Sequence, residues 1–401
     1  SYDKESGELV LHNYMDFDNL KDYVKISYEL TQDGLLIGKG KLAEVSVAPH
    51  SEGKTNLQVN VPENGKCYLK LTYHLKKEMP LLEEDYILGF DEIEVSQKDA
   101  KCQLAEKWVE KTVTDSELQV SEDDTQIHIK GREFAYTIDR RTALFTEMKF
   151  AGREYLNHPM ELNIWRAPTD NDMYIKSEWK KAHYDKAYTR AYTTEVVQGK
   201  HGVKITSHAS VVAETVQKIL DVTITWKIEA AGKIDADIAV TKDDEFPDLP
   251  RFGVRMFLDK KLSAARYFGM GPQESYCDKH QAASHGLYQA NVDDLHEDYI
   301  RPQENGSHYD CEYVELNNSR YGIVVSAENA FSFNASYYTQ EELEEKTHNY
   351  ELTESDSVVF CVDYALNGIG SNSCGPVVLE QYRFDDVLFR FQFTLIPYVK
   401  G

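Results

Sequence analysis

The chain has 401 residues, 28% charged, 41% hydrophobic and 11% aromatic, a composition that can bury large cores and does not match a disordered chain. Its 68 acidic against 44 basic residues give a net charge of −24, which repels phosphate backbones and anionic lipid and so argues against nucleic-acid and membrane partners. No apolar run approaches the ~20 residues that a membrane-spanning helix needs.

The sequence opens Ser1-Tyr2-Asp3-Lys4-Glu5, with neither an initiator Met nor the apolar core of a signal peptide, and so reads as a piece of something longer. Val24, Ile26, Tyr28 and Leu30 alternate with polar residues, as do Cys67, Leu69, Leu71, Tyr73 and Leu75 after the turn Glu63-Asn64-Gly65. That period of two predicts antiparallel strands with one buried face. The first ~95 residues are the size of an immunoglobulin-like sandwich. Residues 96–100 and 113–117 are polar and weakly periodic, so the expected layout is a β-sandwich over 1–100, a linker over 101–120 and a large β domain over 121–401. Helix formers from Ser177 to Tyr192, with Trp179, Ala182 and His183 at helical spacing, predict a helix there. Alternation resumes at Leu220–Ile228, at Phe252–Leu258 and at Phe389–Leu395, each predicting a half-buried strand. Thr339-Gln340-Glu341-Glu342 has the T-x-x-E form of a capping box and predicts a short helix to about Thr347. The chain therefore reads as all-β with a few short helices and no internal repeat.

Chemical motifs exclude more than they assign. The six cysteines (Cys67, Cys102, Cys277, Cys311, Cys361, Cys374) show no C-x-x-C spacing and suit a reducing, cytoplasmic setting. The 26 tyrosines fit sheet faces and sugar-facing surfaces equally well. Asp170-Asn171-Asp172 begins like a calcium loop but lacks the later Gly and Glu, and the 13 histidines include no H-E-x-x-H. No G-x-S-x-G elbow occurs. Gly368-Ile369-Gly370-Ser371-Asn372-Ser373 approaches a dinucleotide fingerprint, but Cys374-Gly375-Pro376 follows where a helix should start, leaving a tight turn after the strand 358–364. Glycoside hydrolysis needs two carboxyls, and 68 acids leave the pair open. The acids of "NIWRAPTDND" are eligible by chemistry, or they cap their own turn.

Five ordered stretches carry a resemblance. They are "WRAPTDND" (165–172), "GMGPQESY" (269–276), "RPQENGSHYD" (301–310), "FSFNASYYTQEELEEKTH" (331–348) and "NGIGSNSCGP" (367–376). In this order they resemble the C-terminal domain of the lac-type β-galactosidases of glycoside hydrolase family 2. Residues 11–40 are similar to the immunoglobulin-like domain that precedes it there. The family has five domains, and the resemblance implies that this chain holds the fourth, immunoglobulin-like, and the fifth, a galactose-mutarotase-like β-supersandwich.

The resemblance also implies where chemistry lies. The family's catalytic glutamates and magnesium ligands sit on a (β/α)8 barrel that no stretch here matches. This segment is therefore expected to be inactive alone, with no catalytic or metal residue, and magnesium and sodium belong to the full enzyme. The fifth domain borders the substrate through two loops. One follows the DND stretch, Met173-Tyr174-Ile175-Lys176-Ser177-Glu178, with Tyr174 where a Gly is common, and Ser177 and Glu178 as substrate-proximal candidates. The other, in several members, bears a Trp that stacks on the glucose half of lactose. Here it is one residue shorter, with Asn372, Ser373 and Cys374, and Cys374 falls closest to the Trp position. Arg166, Pro168, Asp170, Asn171, Asp172, Gly271, Pro272, Glu274, Glu304, Asn305 and Gly306 carry the structural part of the motifs. The implied partners are a β-galactoside, the barrel of the same or a companion chain, and further copies in a homo-oligomer. A natural small subunit of a split enzyme, a stand-alone carbohydrate-binding module and a purely structural module are the other readings.

Overall fold

The computed structural model describes residues 1–97 and 118–400. Two compact units divide the chain: Ser1–Gln103 with Ser284–Leu287, and Leu104–Ala283 with Tyr288–Gly401. The linker expected over 101–120 lies outside the described residues up to 117. Its last residues are already structured, since the strand Gln119–Glu122 begins there.

The N-terminal unit joins a four-stranded sheet, in the order Leu35–Lys41, Val24–Gln32, Cys67–Leu75 and Ile87–Ser96, to a two-stranded sheet of Glu8–Asn13 and Ser51–Asn56. Alternation places Val24, Ile26, Leu30, Cys67, Leu69 and Leu71 on one face. They share a core with Leu9, Leu11, Val45 and Val47 from the opposite layer.

The larger unit stacks a five-stranded meander, from Gln119–Glu122 to Arg153–Glu154, on a twelve-stranded sheet. The main path of that sheet runs Leu156–Asn163, Arg251–Asp259, Ser357–Leu366, Tyr321–Ser336, Leu388–Val399, Ile234–Lys242, Leu220–Glu229, Gly202–Val212 and Tyr188–Gln198. Ser307–Asn317 pairs with Tyr321–Ser336 and brings in Ala264–Gly271. The two layers share one core. Phe145 meets Trp226 edge-on at 4.9 Å. The buried polar tips are satisfied across the interface: Trp226 Nε1 donates to Ala143 O at 2.8 Å and Tyr136 Oη to Gly232 O at 2.7 Å.

Three sequence expectations are corrected. The strand over Phe252–Leu258 is buried on both faces: its second face, at Arg251 and Arg255, is covered by Glu304 and by Gln340 and Glu341 of the helix Gln340–Glu345. Arg255 is neutralised by Glu161 at 2.6 Å and Glu341 at 2.9 Å. The helix expected over Ser177–Tyr192, and the loop expected over 173–178, become a helix Ile175–Lys181 anchored by buried Trp179. It ends where His183 turns left-handed (φ 59°), and after a 3-10 turn, Tyr184–Lys186, the β-favouring Tyr188, Thr189 and Tyr192 enter a strand. The helix Gln340–Glu345 forms with Thr339 as N-cap but ends before Thr347. Only half of the capping box closes: Glu342 Oε1 accepts from Thr353 N at 2.7 Å instead of from Thr339. Among the described residues no helix is long and apolar enough to cross a membrane.

One buried imidazole makes this unit acid-sensitive. His308 is 1% exposed, stacks on Phe333, meets Tyr267 at a tilt, and donates Nδ1–H to Met270 O at 3.3 Å. Burial pushes its pKa from 6.5 down to about 4. The unfolded chain binds the proton first, so stability is full above pH 6.5 and falls as pH drops toward 4, by about 3 kcal/mol for this group. Unfolding midpoints measured across this range should show a shallower acid slope in His308→Phe; an unchanged slope would contradict the assignment.

Candidate functional site

The WRAPTDND stretch folds as a 3-10 turn, Asp170–Asp172, after half-buried Pro168 and the N-cap Thr169. Arg166 is fully buried and forks onto Asp172, with Nε at 3.2 Å from Oδ2 and Nη2 at 2.7 Å from Oδ1. The same Oδ2 accepts from Thr169 N at 2.9 Å and Thr169 Oγ1 at 3.2 Å. The guanidinium also reaches the later loop, donating from Nη2 to Gly368 O at 3.1 Å and from Nη1 to Asn367 O. Burial opposes the Arg166 charge, yet Asp172 and Glu304 hold its pKa above the ordinary arginine value.

Each acid or amide of the turn has a different partner. Asp170 exchanges two bonds with Gln303, N to Oε1 at 3.0 Å and Oδ2 from Nε2 at 3.2 Å. Asn171 Nδ2 donates to Gly370 O at 2.7 Å, and its Oδ1 accepts from Ser373 N at 3.3 Å. The stretch thus ties three chain segments together, and its acids do not converge on one open point. Among the described residues no group of three or more His, Cys, Asp or Glu side chains is arranged to hold a metal.

Behind the turn lies a second polar layer. Glu274 accepts from Gly306 N at 2.8 Å, and also binds Lys279 and the Tyr299 hydroxyl. It follows the cis bond between Gly271 and Pro272. Asn305 bridges with Oδ1 to Glu297 N at 3.0 Å and Nδ2 to Gln303 O at 2.9 Å. Glu304 is buried and receives Arg251 Nη1 on Oε2 at 3.2 Å, whereas Oε1 has no hydrogen-bond partner. Burial pushes the Glu304 carboxyl up in pKa, against the pull of Arg251 and Arg166.

The substrate-proximal candidates fall in two places. Tyr174 is 61% exposed just before the helix Ile175–Lys181. Ser177 Oγ turns back to Tyr174 O at 2.8 Å and Glu178 pairs with Lys181 at 2.7 Å, so both serve the helix's own first turns. Asn372, Ser373 and exposed Cys374 form the turn closed by Gly375 N to Ser371 O at 2.7 Å. Asn171 and Arg166 link the two places. Sequence reasoning missed Gln303, Asp278, Arg251 and Asp363. Gln303 lies inside a quoted motif, but the others find partners roughly a hundred residues away, which no local spacing signals.

Beside this cluster a cavity of about 310 Å³ is lined by Tyr276, Tyr309, Asp310, Tyr364, Tyr382 and Arg383 among others. Aromatic walls with a few polar groups suit a small polar ring such as a sugar, and the volume is at the lower end for ligand sites.

Comparison with known proteins agrees with this layout. Residues 130–395 match the family described as Beta galactosidase small chain, and residues 9–96 match Beta-galactosidase, domain 4. A beta-galactosidase of Actinobacillus pleuropneumoniae is 42% identical over 97% of this chain and 38% of its own length. One of Staphylococcus xylosus is 30% identical over 98% of this chain and 39% of its own length. The chain thus spans about two-fifths of these relatives. A galactose 1-epimerase from Lactobacillus acidophilus NCFM covers 72% of this chain and all of its own at a TM-score of 0.37 and 8% identity, a likeness too low to carry an argument. The family match over most of the larger unit, with the domain-4 match over the smaller one, places this chain in the beta-galactosidase small-chain family, as the C-terminal domains of a beta-galactosidase.

Proposed function

We propose that this chain is the non-catalytic C-terminal segment of a retaining β-galactosidase of glycoside hydrolase family 2, acting in the cytoplasm on terminal β-D-galactosides such as lactose. It walls the aglycone side of the active site with the 173–178 and 371–375 segments and supports assembly of the oligomer. The catalytic glutamates, with magnesium and sodium, belong to a (β/α)8 barrel. The carrying observation is that nearly all of this chain matches about two-fifths of proteins named beta-galactosidase, while its strand registers between neighbours such as Leu156–Asn163 and Arg251–Asp259 are antiparallel, where a βα barrel needs parallel ones.

Two measurements test the reading. The purified chain should not turn over an aryl β-galactoside. In the full enzyme, Cys374→Trp should lower the KM for lactose about two- to tenfold relative to the aryl substrate, the scale of one aromatic platform. Turnover by the purified chain would overturn the non-catalytic role, and an unchanged KM ratio would overturn the aglycone wall. The aromatic cavity favours a second reading, a sugar-binding module. Calorimetric binding of galactose by the isolated chain at millimolar or lower concentration, abolished by Tyr364→Ala, would establish it.

A further inference from the structure

Resting on the aglycone-wall reading, we propose that Asn171 and Asp278 are positioning residues for substrate specificity, a two-point clamp that sets where the loop 368–374 presents Cys374. Asp278 accepts Ile369 N–H on Oδ1 at 2.9 Å and Gly370 N–H on Oδ2 at 2.7 Å, an anion held by two successive backbone donors. Asn171 takes the other side of the same residue, donating Nδ2 to Gly370 O at 2.7 Å and accepting Ser373 N–H at 3.3 Å. Gly370 is therefore pinned through both its N–H and its C=O.

The loop's glycines make this possible. Gly370 has φ +66°, the left-handed region that favours glycine. At Gly368 a Cβ would lie 2.8 Å from Asp278 Oδ2, so any side chain there would push the carboxylate off the loop. Upstream, Arg166 holds the carbonyls of Asn367 and Gly368. The residues before 371 are thus anchored one after another. Ser371 to Cys374 form the tip, steadied by its own turn and by Asn171 on Ser373.

Asn171 also lies in the middle of the turn Asp170–Asp172, which leads directly to Tyr174. A shift of that turn moves the anchor of the Cys374 tip. The clamp thus joins the two loops of the aglycone wall through side chains that need not touch the reacting atoms themselves.

The experiment uses the full-length enzyme, with KM and kcat for lactose and for an aryl β-galactoside, and the unfolding midpoint as control. Asp278→Asn keeps the side chain's shape but turns one acceptor into an amide that faces a backbone N–H. Asn171→Ala removes the second point. Each is expected to raise the ratio of lactose KM to aryl KM about three- to tenfold, the scale of one or two lost hydrogen bonds, with little change in kcat. In the Cys374→Trp background, Asn171→Ala should erase the gain in lactose affinity. If Cys374→Trp changes the KM ratio but neither clamp variant does, the clamp is overturned and the aglycone wall stands. If none of the three moves the ratio, the aglycone reading fails and the clamp with it. A parallel fall of both activities together with the unfolding midpoint also overturns the clamp, because it marks a merely structural role.

Discussion

Arg166→Ala is expected to destabilise the larger unit by about 3–5 kcal/mol, the range for removing one partner of a buried ion pair. The size follows from what is left behind. Arg166 is fully buried and Asp172 is 2% exposed, so the remaining carboxylate has only Thr169 for compensation. The carbonyls of Asn367 and Gly368 lose their donor in the same stroke. An exposed pair such as Lys181 with Glu178 is by contrast screened by water. Arg166→Lys should recover only part of the loss, since one ammonium cannot reproduce the fork onto Asp172 and reach two carbonyls. The readout is denaturant unfolding followed by tryptophan fluorescence. Trp165 and Trp179 lie edge-on at 6.2 Å, with the Arg166 guanidinium 5.3 Å above the Trp179 ring, so both rings report on this unit. A loss below about 1 kcal/mol would mean that the site relaxes and lets water reach Asp172.

Why was the turn legible as a turn, and the clamp not? Proline, a threonine N-cap and clustered short polar side chains act within a few residues, so "RAPTDND" announces its local geometry. Strands were equally readable where a single face is buried: Ile26, Leu30, Leu69 and Leu71 sit in the core as their alternation requires. The reading failed where both faces are covered. Arg251 and Arg255 occupy positions that alternation assigns to solvent, and they stay inside because acids from other strands, from the loop before Ser307–Asn317 and from the helix Gln340–Glu345 pair with them. The Ser177–Tyr192 helix failed for a related reason. Its pattern holds through Trp179 and Ala182, but pairing of Tyr188–Gln198 with Gly202–Val212 claims the rest, and sheet pairing outweighs the weak helix preference of a Tyr- and Thr-rich stretch. Asp278 is the clearest limit. Nothing around "SYCDKH" distinguishes it, and its role exists only because the fold delivers Ile369 and Gly370 to it.

The second large effect concerns Arg251, which is fully buried between two carboxylates. Asp363 → Ala is expected to cost about 3–5 kcal/mol and Glu304→Gln less than about 1 kcal/mol, although both remove a buried negative group beside the same guanidinium. Burial pushes both carboxyls up in pKa. Against that push Asp363 has two hydrogen bonds from Arg251, to Oδ1 at 3.1 Å and to Oδ2 at 2.5 Å. Glu304 has one, and its Oε1 has none. Glu304 is therefore the more weakly held of the two carboxyls. A glutamine preserves its shape and the acceptor for Arg251. The sign of the pH dependence separates this from a general acid effect. A carboxyl whose folded pKa is raised stabilises the fold below its unfolded value of 4.5, and that contribution is lost as pH rises through the folded value. Glu304→Gln should remove this fall. The His308 term runs the other way, with stability lost as pH drops from 6.5 toward 4. Unfolding free energies of the two single variants and of His308→Phe with Glu304→Gln, measured over that span, should therefore flatten opposite limbs of the profile. A Glu304→Gln loss as large as that of Asp363→Ala would show that Glu304 is ionised in the fold and that the core carries the extra negative charge.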